Sequence, residues 1–110
     1  MAEITVPAPV QALVDAINGA DTEAFVAAFT EEGFVDDWGR VLRGPDGVRS
    51  WAGSDAIGMG ARMTVLSAET EGETTRIRFG WASRRFNGES EGIFVVDGDR
   101  LASFTIPPHG

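Results

Sequence analysis

The first part of the chain carries apolar residues at the three- and four-residue intervals of an amphipathic helix. These residues are Val10, Leu13, Val14 and Ile17. The Asn-Gly pair at 18–19 that follows them is typical of a helix end. Asp21 is a suitable N-cap for a second helix, which would bury Phe25 and Phe29 and end at residues 31–33. Because the link between the two segments is short, we expect them to pack as a helical hairpin.

After residue 33 the apolar period shortens to that of an extended chain. Residues 34–38 and 41–43 predict two short strands around a glycine-containing turn. A third, short helix then begins with Pro45 at its first position and directs Trp51 inward. The glycine-rich segment 53–60 that follows is interpreted as a loop or a loose turn of helix.

The rest of the chain reads as four strands separated by turn residues, which is typical of an antiparallel meander. The four segments are 63–68, 75–83, 90–96 and 101–106. Turns are predicted between them at residues 71–73, 87–88 and 97–99. The Asn-Gly pair at 87–88 and the Asp-Gly pair at 97–98 are strong hairpin signals, because both residues of each pair tolerate positive φ.

Two of these strands indicate which side of the sheet faces the core. In the second strand Phe79 and Trp81 share one face by two-residue alternation, while Arg76 and Arg78 share the other. Residues 93–96 in the third strand are apolar on both faces, as in a central strand that is covered on each side. Helices on one face leave the second face of that strand uncovered, so we expect a homodimer through the outer face of the sheet.

The order of the elements, helices first and a meander afterwards, predicts an α+β domain with helices on one face of a curved sheet. By its length of 110 residues the chain is one domain, so we assign residues 1–110 to a single domain. Within it residues 1–8 are a lead-in and residues 107–110 a tail. With 43% hydrophobic residues, the chain has enough apolar material for one core.

Composition restricts the chemistry that this chain can perform. It has no cysteine, no tyrosine and no lysine, so all nine of its cationic side chains are arginine. Thiol nucleophiles, cysteine zinc sites, Schiff-base lysines and tyrosine acids are therefore excluded. The only histidine, His109, lies in the tail, where it is either a mobile residue or part of a gate over a site. We expect carboxylates with arginine to carry any acid–base chemistry, and we expect no metal and no cofactor.

The net charge of −8 opposes binding to nucleic acid and to anionic membranes, both of which attract clustered cations. The one basic run, at residues 84–85, is interpreted as solvated strand positions. No apolar run reaches the 18 to 20 residues of a membrane helix, and the N-terminus lacks the pattern of a signal peptide. We therefore expect a soluble cytoplasmic protein with neither nucleic acid nor membrane as a partner.

Residues 25–51, FVAAFTEEGFVDDWGRVLRGPDGVRSW, resemble the nuclear transport factor 2-like superfamily and, within it, the SnoaL-like, polyketide cyclase-like proteins. In that family a helical hairpin ends in an aromatic and an acidic pair, here Phe29 and residues 31–32. A short strand with an acidic residue follows, here at 36–37, and then a glycine before a helix with a buried aromatic, here Gly44 and Trp51. The resemblance spans roughly residues 8–106.

The resemblance implies a cone-shaped roll of about three N-terminal helices packed on a strongly curved, mostly antiparallel mixed sheet. In such a cone the sheet curls around an apolar pocket that the helices close. Family members include ketosteroid isomerases, polyketide cyclases, dehydratases and epoxide hydrolases, together with binding modules and association domains without known catalysis. A shared fold of this kind supports a pocket better than it supports any one activity.

By this resemblance Asp37 matches the aspartate that shuttles a proton in the isomerases. The tyrosine that completes their oxyanion hole has no counterpart, because this chain contains no tyrosine. The protonated aspartate that joins the tyrosine aligns with Gly92. The neighbouring Glu91 is expected on the opposite face by alternation, and it either lines the pocket or faces solvent. The SnoaL-like cyclases, which have one acid–base carboxylate and few other polar groups, are therefore the nearer comparison.

Several side chains are candidates for the pocket around this carboxylate. They are Trp38, Trp51, Met63, Arg78, Phe79, Trp81, Phe94 and Phe104. Arg62 or Arg78 would stabilise an enolate or bind a substrate carboxylate, with an outer-face salt bridge as the alternative. Only one of Asp36 and Asp37 can point inward, and the alternative is that both are solvent-facing residues of a turn.

Three functions follow from these observations. The first is binding of an apolar or aromatic small molecule with catalysis by Asp37, as in a cofactor-free cyclase or isomerase. The second is binding without catalysis. The third is a dimeric structural role, in which Met59, Met63 and Trp51 would fill the cone.

Overall fold

The computed structural model describes residues 4–84 and 86–108, which fold into three α-helices packed against a six-stranded mixed sheet. The helices are α1 (Ala8–Asn18), α2 (Thr22–Ala27) and α3 (Gly44–Asp55), and a 3₁₀ turn spans Ile57–Met59. The strands are β1 (Phe29–Asp37), β2 (Arg40–Arg43), β3 (Arg62–Glu71), β4 (Thr74–Ala82), β5 (Asn87–Asp97) and β6 (Arg100–Ile106). This architecture confirms the predicted α+β class.

The sheet has the strand order β2-β1-β6-β5-β4-β3. The β1–β6 pair, second and third in this order, is parallel, and the other neighbouring strands are antiparallel. The parallel pair joins the strand that follows the helical hairpin to the last strand of the meander. None of the three helices in the described part of the chain has the length and apolar character needed to cross a membrane.

The helical hairpin forms for the local reasons that the sequence indicates. Helix α1 buries its apolar stripe, and the Gly19 N–H after it donates to the Asp15 carbonyl at 2.8 Å. The Asp21 side chain caps α2 by accepting a hydrogen bond from the Ala24 N–H at 3.0 Å. A salt bridge between Glu23 of α2 and Arg49 of α3, which raises the pKa of the arginine, joins these two helices.

Helix α2 is shorter than the spacing of Phe25 and Phe29 predicts, and the expectation that it reaches residues 31–33 is wrong. It ends at Ala27, and Phe29 is the first residue of β1. The Leu101 N–H donates to the Ala28 carbonyl at 2.8 Å, and Phe29 pairs with Leu101. Strand β6 therefore pairs with this part of the chain, and Phe29 is buried in the sheet instead of on a helix.

The glycine-rich segment is more regular than predicted. Helix α3 continues to Asp55, and the 3₁₀ turn follows after Ala56. A Cβ placed on Gly58 would lie 1.7 Å from the Gly53 carbonyl oxygen. The glycine at 58 thus permits a close backbone contact between the end of α3 and the 3₁₀ turn, instead of marking a loose loop.

Two of the three predicted turns of the meander are confirmed, with Gly72 at φ 61° and Gly98 at φ 67°. The prediction of a turn at 87–88 is wrong, because Asn87 and Gly88 are in β5, opposite Ala82 and Trp81. The turn comes earlier: the Ser83 N–H donates to the Phe86 carbonyl at 2.9 Å.

The predicted alternation of β4 is confirmed. Phe79 on the inner face is 2% exposed and packs among aromatic rings of the core. On the outer face Arg76 lies 3.6 Å from the Glu91 carboxylate, and Arg78 lies 3.0 Å from that of Glu89. The inner face, covered by the helices, therefore holds the core, while the outer face carries cross-strand ion pairs.

Candidate functional site

A cavity of about 550 Å³ opens at the end of the sheet where β6 stops at Ile106. Its apolar wall consists mainly of aromatic side chains. They are Trp38, Trp51, Phe79, Trp81 and Phe86. Trp38 and Phe86 are 56% and 51% exposed, so they form the rim, whereas Trp51 and Phe79 lie almost fully inside.

Strand register builds the deep part of this wall. In the β4–β5 pair Phe79 lies opposite Ser90, and Trp81 lies opposite Gly88. Strand β5 extends beyond the end of β6, because Ile93 pairs with Thr105, next to the last residue of β6. The first residues of β5 therefore have no partner in β6. The cavity occupies the space beside them, on the inner side of the β4–β5 hairpin.

Asp37 lines the cavity from the end of β1, with its side chain 20% exposed. Its Oδ2 accepts a hydrogen bond from Trp51 Nε1–H at 3.0 Å and another from Arg40 Nη2 at 3.3 Å. Asp36, by contrast, accepts the Gly39 N–H at 2.9 Å through its Oδ1. Asp37 therefore faces the cavity, whereas the Asp36 side chain caps the turn between β1 and β2.

A second carboxylate belongs to the same cluster. Arg40 Nη2 also donates to Asp55 Oδ2 at 2.9 Å, and the Asp55 side chain, 19% exposed, lines the cavity as well. The Ser54 hydroxyl donates to the other oxygen of Asp55 at 2.5 Å. One guanidinium thus lies between the Asp37 and Asp55 carboxylates at the cavity.

Sequence reasoning missed both Arg40 and Asp55. Arg40 had a detectable signal, since it is the register partner of Asp37 across a two-residue turn. Asp55 had none, because it comes from the end of α3, fifteen residues after Arg40, in the segment that was expected to be a loop or a loose turn of helix.

The turn between β1 and β2 holds Trp38 in an uncommon backbone conformation. Trp38 has φ 57° and Gly39 has φ 88°, both in the region that favours glycine. The Trp38 N–H donates to the Ile106 carbonyl at 3.0 Å. A bulky residue in this conformation costs about 1–2 kcal/mol and is typical of positions retained for a site.

Four of the side chains proposed for the pocket lie elsewhere in the structure. Met63, Phe94 and Phe104 are in the core and do not line the cavity. Phe94 and Phe104 stack on each other at 4.6 Å, so their faces are used in packing. Arg78 is on the outer face with Glu89, as the salt-bridge alternative proposed. Met63, Phe94 and Phe104 were assigned to the pocket wrongly because sheet alternation shows that a side chain points inward but not how deep it lies, whereas Arg78 belongs to the opposite face.

The other polar candidates are also away from the cavity. Arg62 donates to the Asn18 carbonyl at 3.4 Å, and Glu91 faces Arg76 on the outer side of the sheet. His109 and Arg85, which the sequence analysis considered, lie outside the described residues. Within residues 4–84 and 86–108 no cluster of three or more metal-ligating side chains is found.

Gly92 cannot accommodate the aspartate that the family comparison places there. A Cβ at Gly92 would lie 2.9 Å from Phe104 Cε1 and 3.2 Å from Phe79 Cε1. Both atoms belong to packed aromatic rings, so a carboxylate has no space on this side of β5. The cavity therefore lacks the second acid of the isomerase arrangement at its usual place.

Comparison with known proteins finds no matching family model and no matching curated protein. Solved structures do match, among them a candidate polyketide cyclase of Sinorhizobium meliloti, with a TM-score of 0.81 and 22% identity over 92% of this chain and 94% of that one. A nuclear transport factor 2-like protein of unknown function from Cytophaga hutchinsonii has a TM-score of 0.78 and 14% identity, covering 96% and 90% of the two chains.

A third match is a Catenulispora acidiphila protein with a ketosteroid isomerase-like fold, solved in complex with trimethylamine. It has a TM-score of 0.78 and 21% identity over 94% of this chain and 87% of that one. Together these neighbours show that the chain has the nuclear transport factor 2-like fold, shared with polyketide cyclase-like and ketosteroid isomerase-like proteins, as the resemblance predicted.

Proposed function

We propose that this chain binds an apolar or aromatic small molecule in the cavity and that Asp37 acts on it as an acid–base catalyst without a cofactor. The observation that carries the proposal is a partly buried carboxylate in a cavity walled by five aromatic side chains. A volume of about 550 Å³ lies within the range of small-molecule sites.

The reaction that suits this geometry is proton transfer at a carbon next to a carbonyl group. Asp37 would take the carbon-bound proton, leaving an enolate. In an isomerisation the resulting carboxylic acid returns the proton to another carbon of the same enolate. In a cyclisation the enolate carbon bonds to a second carbonyl carbon, and Asp37 returns the proton to the alkoxide that forms.

The hydrogen bonds of Asp37 support this role. Trp51 and Arg40 both donate to Oδ2, which fixes the orientation of the carboxylate. Because both of these hydrogen bonds reach Oδ2, Oδ1 is the oxygen that we propose takes the substrate proton.

Binding without catalysis is the second candidate, and one feature of the chain favours it. An enolate needs a hydrogen-bond donor for its oxygen. The chain has no tyrosine, and the close contacts of Gly92 leave no space for an acid at that position. The only guanidinium bonded to Asp37 is already shared with Asp55 among the described residues.

Binding is tested with N-phenyl-1-naphthylamine, a neutral aromatic probe that fluoresces in apolar surroundings. We expect one probe per chain in the wild type and no binding in Ile106→Trp, because the indole fills the cavity that Ile106 lines. Leu66→Trp is the control, since it adds the same indole to an exposed position of β3 outside the cavity. Equal probe binding by the wild type and Ile106→Trp would contradict the proposed site.

Catalysis is tested by the exchange of the α-protons of 2-tetralone in D₂O, followed by proton NMR. We expect the wild type to accelerate the exchange and Asp37→Asn to slow it by about 100-fold, the lower range for loss of a general base. Asp36→Asn is the matched control, because Asp36 holds a turn and does not line the cavity. Probe binding without accelerated exchange would favour the second candidate function.

A further inference from the structure

The charges that the described residues place at the cavity do not cancel. Asp37 and Asp55 supply two carboxylates, and Arg40, which contacts both, supplies one guanidinium, so the cluster carries one excess negative charge. No arginine lines the cavity within the described part of the chain, and the sequence contains no lysine. Arg40 itself is 53% exposed and reaches the two carboxylates from outside.

The third acidic residue at the cavity does not alter this balance. Glu89 borders the cavity, but its carboxylate accepts a hydrogen bond from Arg78 at 3.0 Å on the outer face of the sheet. Sheet alternation gives the same result, because Glu89 lies opposite Gly80, between the inward pairs Phe79–Ser90 and Trp81–Gly88. Among the described residues, the excess charge therefore comes from Asp37 and Asp55.

The aromatic walls favour a ligand of the opposite charge. The face of an aromatic ring carries negative potential and attracts a cation within about 6 Å, most strongly when water is excluded. Phe79, Trp81 and Phe86 present such rings to the same space that Asp37 and Asp55 border. A neutral ligand would cover the excess negative charge without compensating it, and an anionic ligand would be repelled by it.

We propose that the ligand of this cavity is a monovalent organic cation, a tertiary or quaternary ammonium group on an apolar or aromatic body. This inference rests on the proposed function and narrows it to one class of molecule. The ammonium group lies near Asp55 and the aromatic rim, and the apolar body packs against Phe79 and Trp81. The net charge of −8 adds a long-range attraction that raises the concentration of cations near the protein.

The test compares three ligands of similar shape and different charge, each measured by displacement of N-phenyl-1-naphthylamine at low ionic strength. They are benzyltrimethylammonium, its neutral isostere neopentylbenzene, and the anion phenylacetate. We expect the cation to bind at least about tenfold more tightly than the isostere, with phenylacetate the weakest. The affinity of the cation should fall as salt is added, while that of the isostere should not.

Two variants separate the charge from the rings. Asp55→Asn removes the excess charge, so the cation should bind about fivefold more weakly while the neutral isostere is unaffected. Asp46→Asn is the matched control, because Asp46 is an exposed residue of the same helix that does not line the cavity. Phe86→Leu keeps the rim apolar without an aromatic face, and it should weaken binding of the cation only.

The outcomes distinguish this inference from the proposed function. If neopentylbenzene displaces the probe as well as benzyltrimethylammonium does, the cavity binds apolar molecules but the cation inference fails. The inference also fails if Asp55→Asn weakens both ligands equally. If the probe itself does not bind to the wild type, the proposed function fails together with the inference.

Discussion

Asp37 shows how one residue acquires a role from groups that are distant along the chain. The resemblance selected it among seventeen acidic residues, but its orientation depends on Trp51, fourteen residues later, and on Arg40. Trp51 is 1% exposed: its ring packs in the core, and its Nε1–H donates to Asp37 at the cavity. The type of residue was predictable at this position, whereas its hydrogen-bond partners required the packing of α3 against β1.

Gly92 and Gly53 offer a matched test of local packing. Gly92→Ala should lower the free energy of unfolding by about 1–3 kcal/mol, because the new methyl group would press on Phe104 and Phe79. Gly53→Ala, in α3, should raise it by about 0.5–1 kcal/mol, because a Cβ there meets nothing within 4 Å and alanine favours helix. Urea unfolding measures both. Unchanged stability of Gly92→Ala would contradict the contacts described on the inner face.

The elements that were predicted correctly are those with a strong local signal. The capping of α2 by Asp21 and the glycine turns at Gly72 and Gly98 depend on residues close in sequence. Phe29 was assigned to the wrong element because its burial satisfies a helical period and a strand equally well. Only the pairing with Leu101, seventy-two residues later, decides for the strand.

The β1–β2 turn combines strain with a place at the cavity. Trp38→Asn should raise the free energy of unfolding by about 1 kcal/mol, because asparagine tolerates the positive φ of 57° better than tryptophan does. The same substitution should weaken binding of N-phenyl-1-naphthylamine, since it removes part of the aromatic rim. Thermal unfolding and probe titration provide the two measurements. A variant that loses stability would show that the contacts of the indole outweigh the backbone strain.

At the scale of the whole molecule, the outer face of the sheet is the surface through which we expect two chains to associate. Ile93 and Val95 of β5 are half-buried on this face, beside the ion pairs of Arg76 and Arg78. The three helices cover the other face. We therefore still expect a homodimer in which two such outer faces pack together, which would remove these apolar side chains from water.

Sedimentation equilibrium at micromolar concentration should give twice the mass of one chain. Ile93→Glu should shift the protein to the monomer, because it would bury an unpaired charge in the contact. Gln11→Glu adds the same charge to an exposed position of α1, on the helical side, and should leave the dimer intact. If the wild type sediments with the mass of one chain under these conditions, the expected dimer is contradicted.

The sequence by itself determined the chemistry that is possible and the class of the fold. Its lack of cysteine, lysine and tyrosine restricts acid–base work to carboxylates and arginine, and its alternation in β4 identified the inner face. Only the tertiary structure decided that Asp55 and Arg40 join Asp37, and that Met63, Phe94 and Phe104 belong to the core instead of the cavity. The physical reason is that periodicity depends on neighbouring residues, whereas a cavity depends on where separate elements stop and how closely they pack.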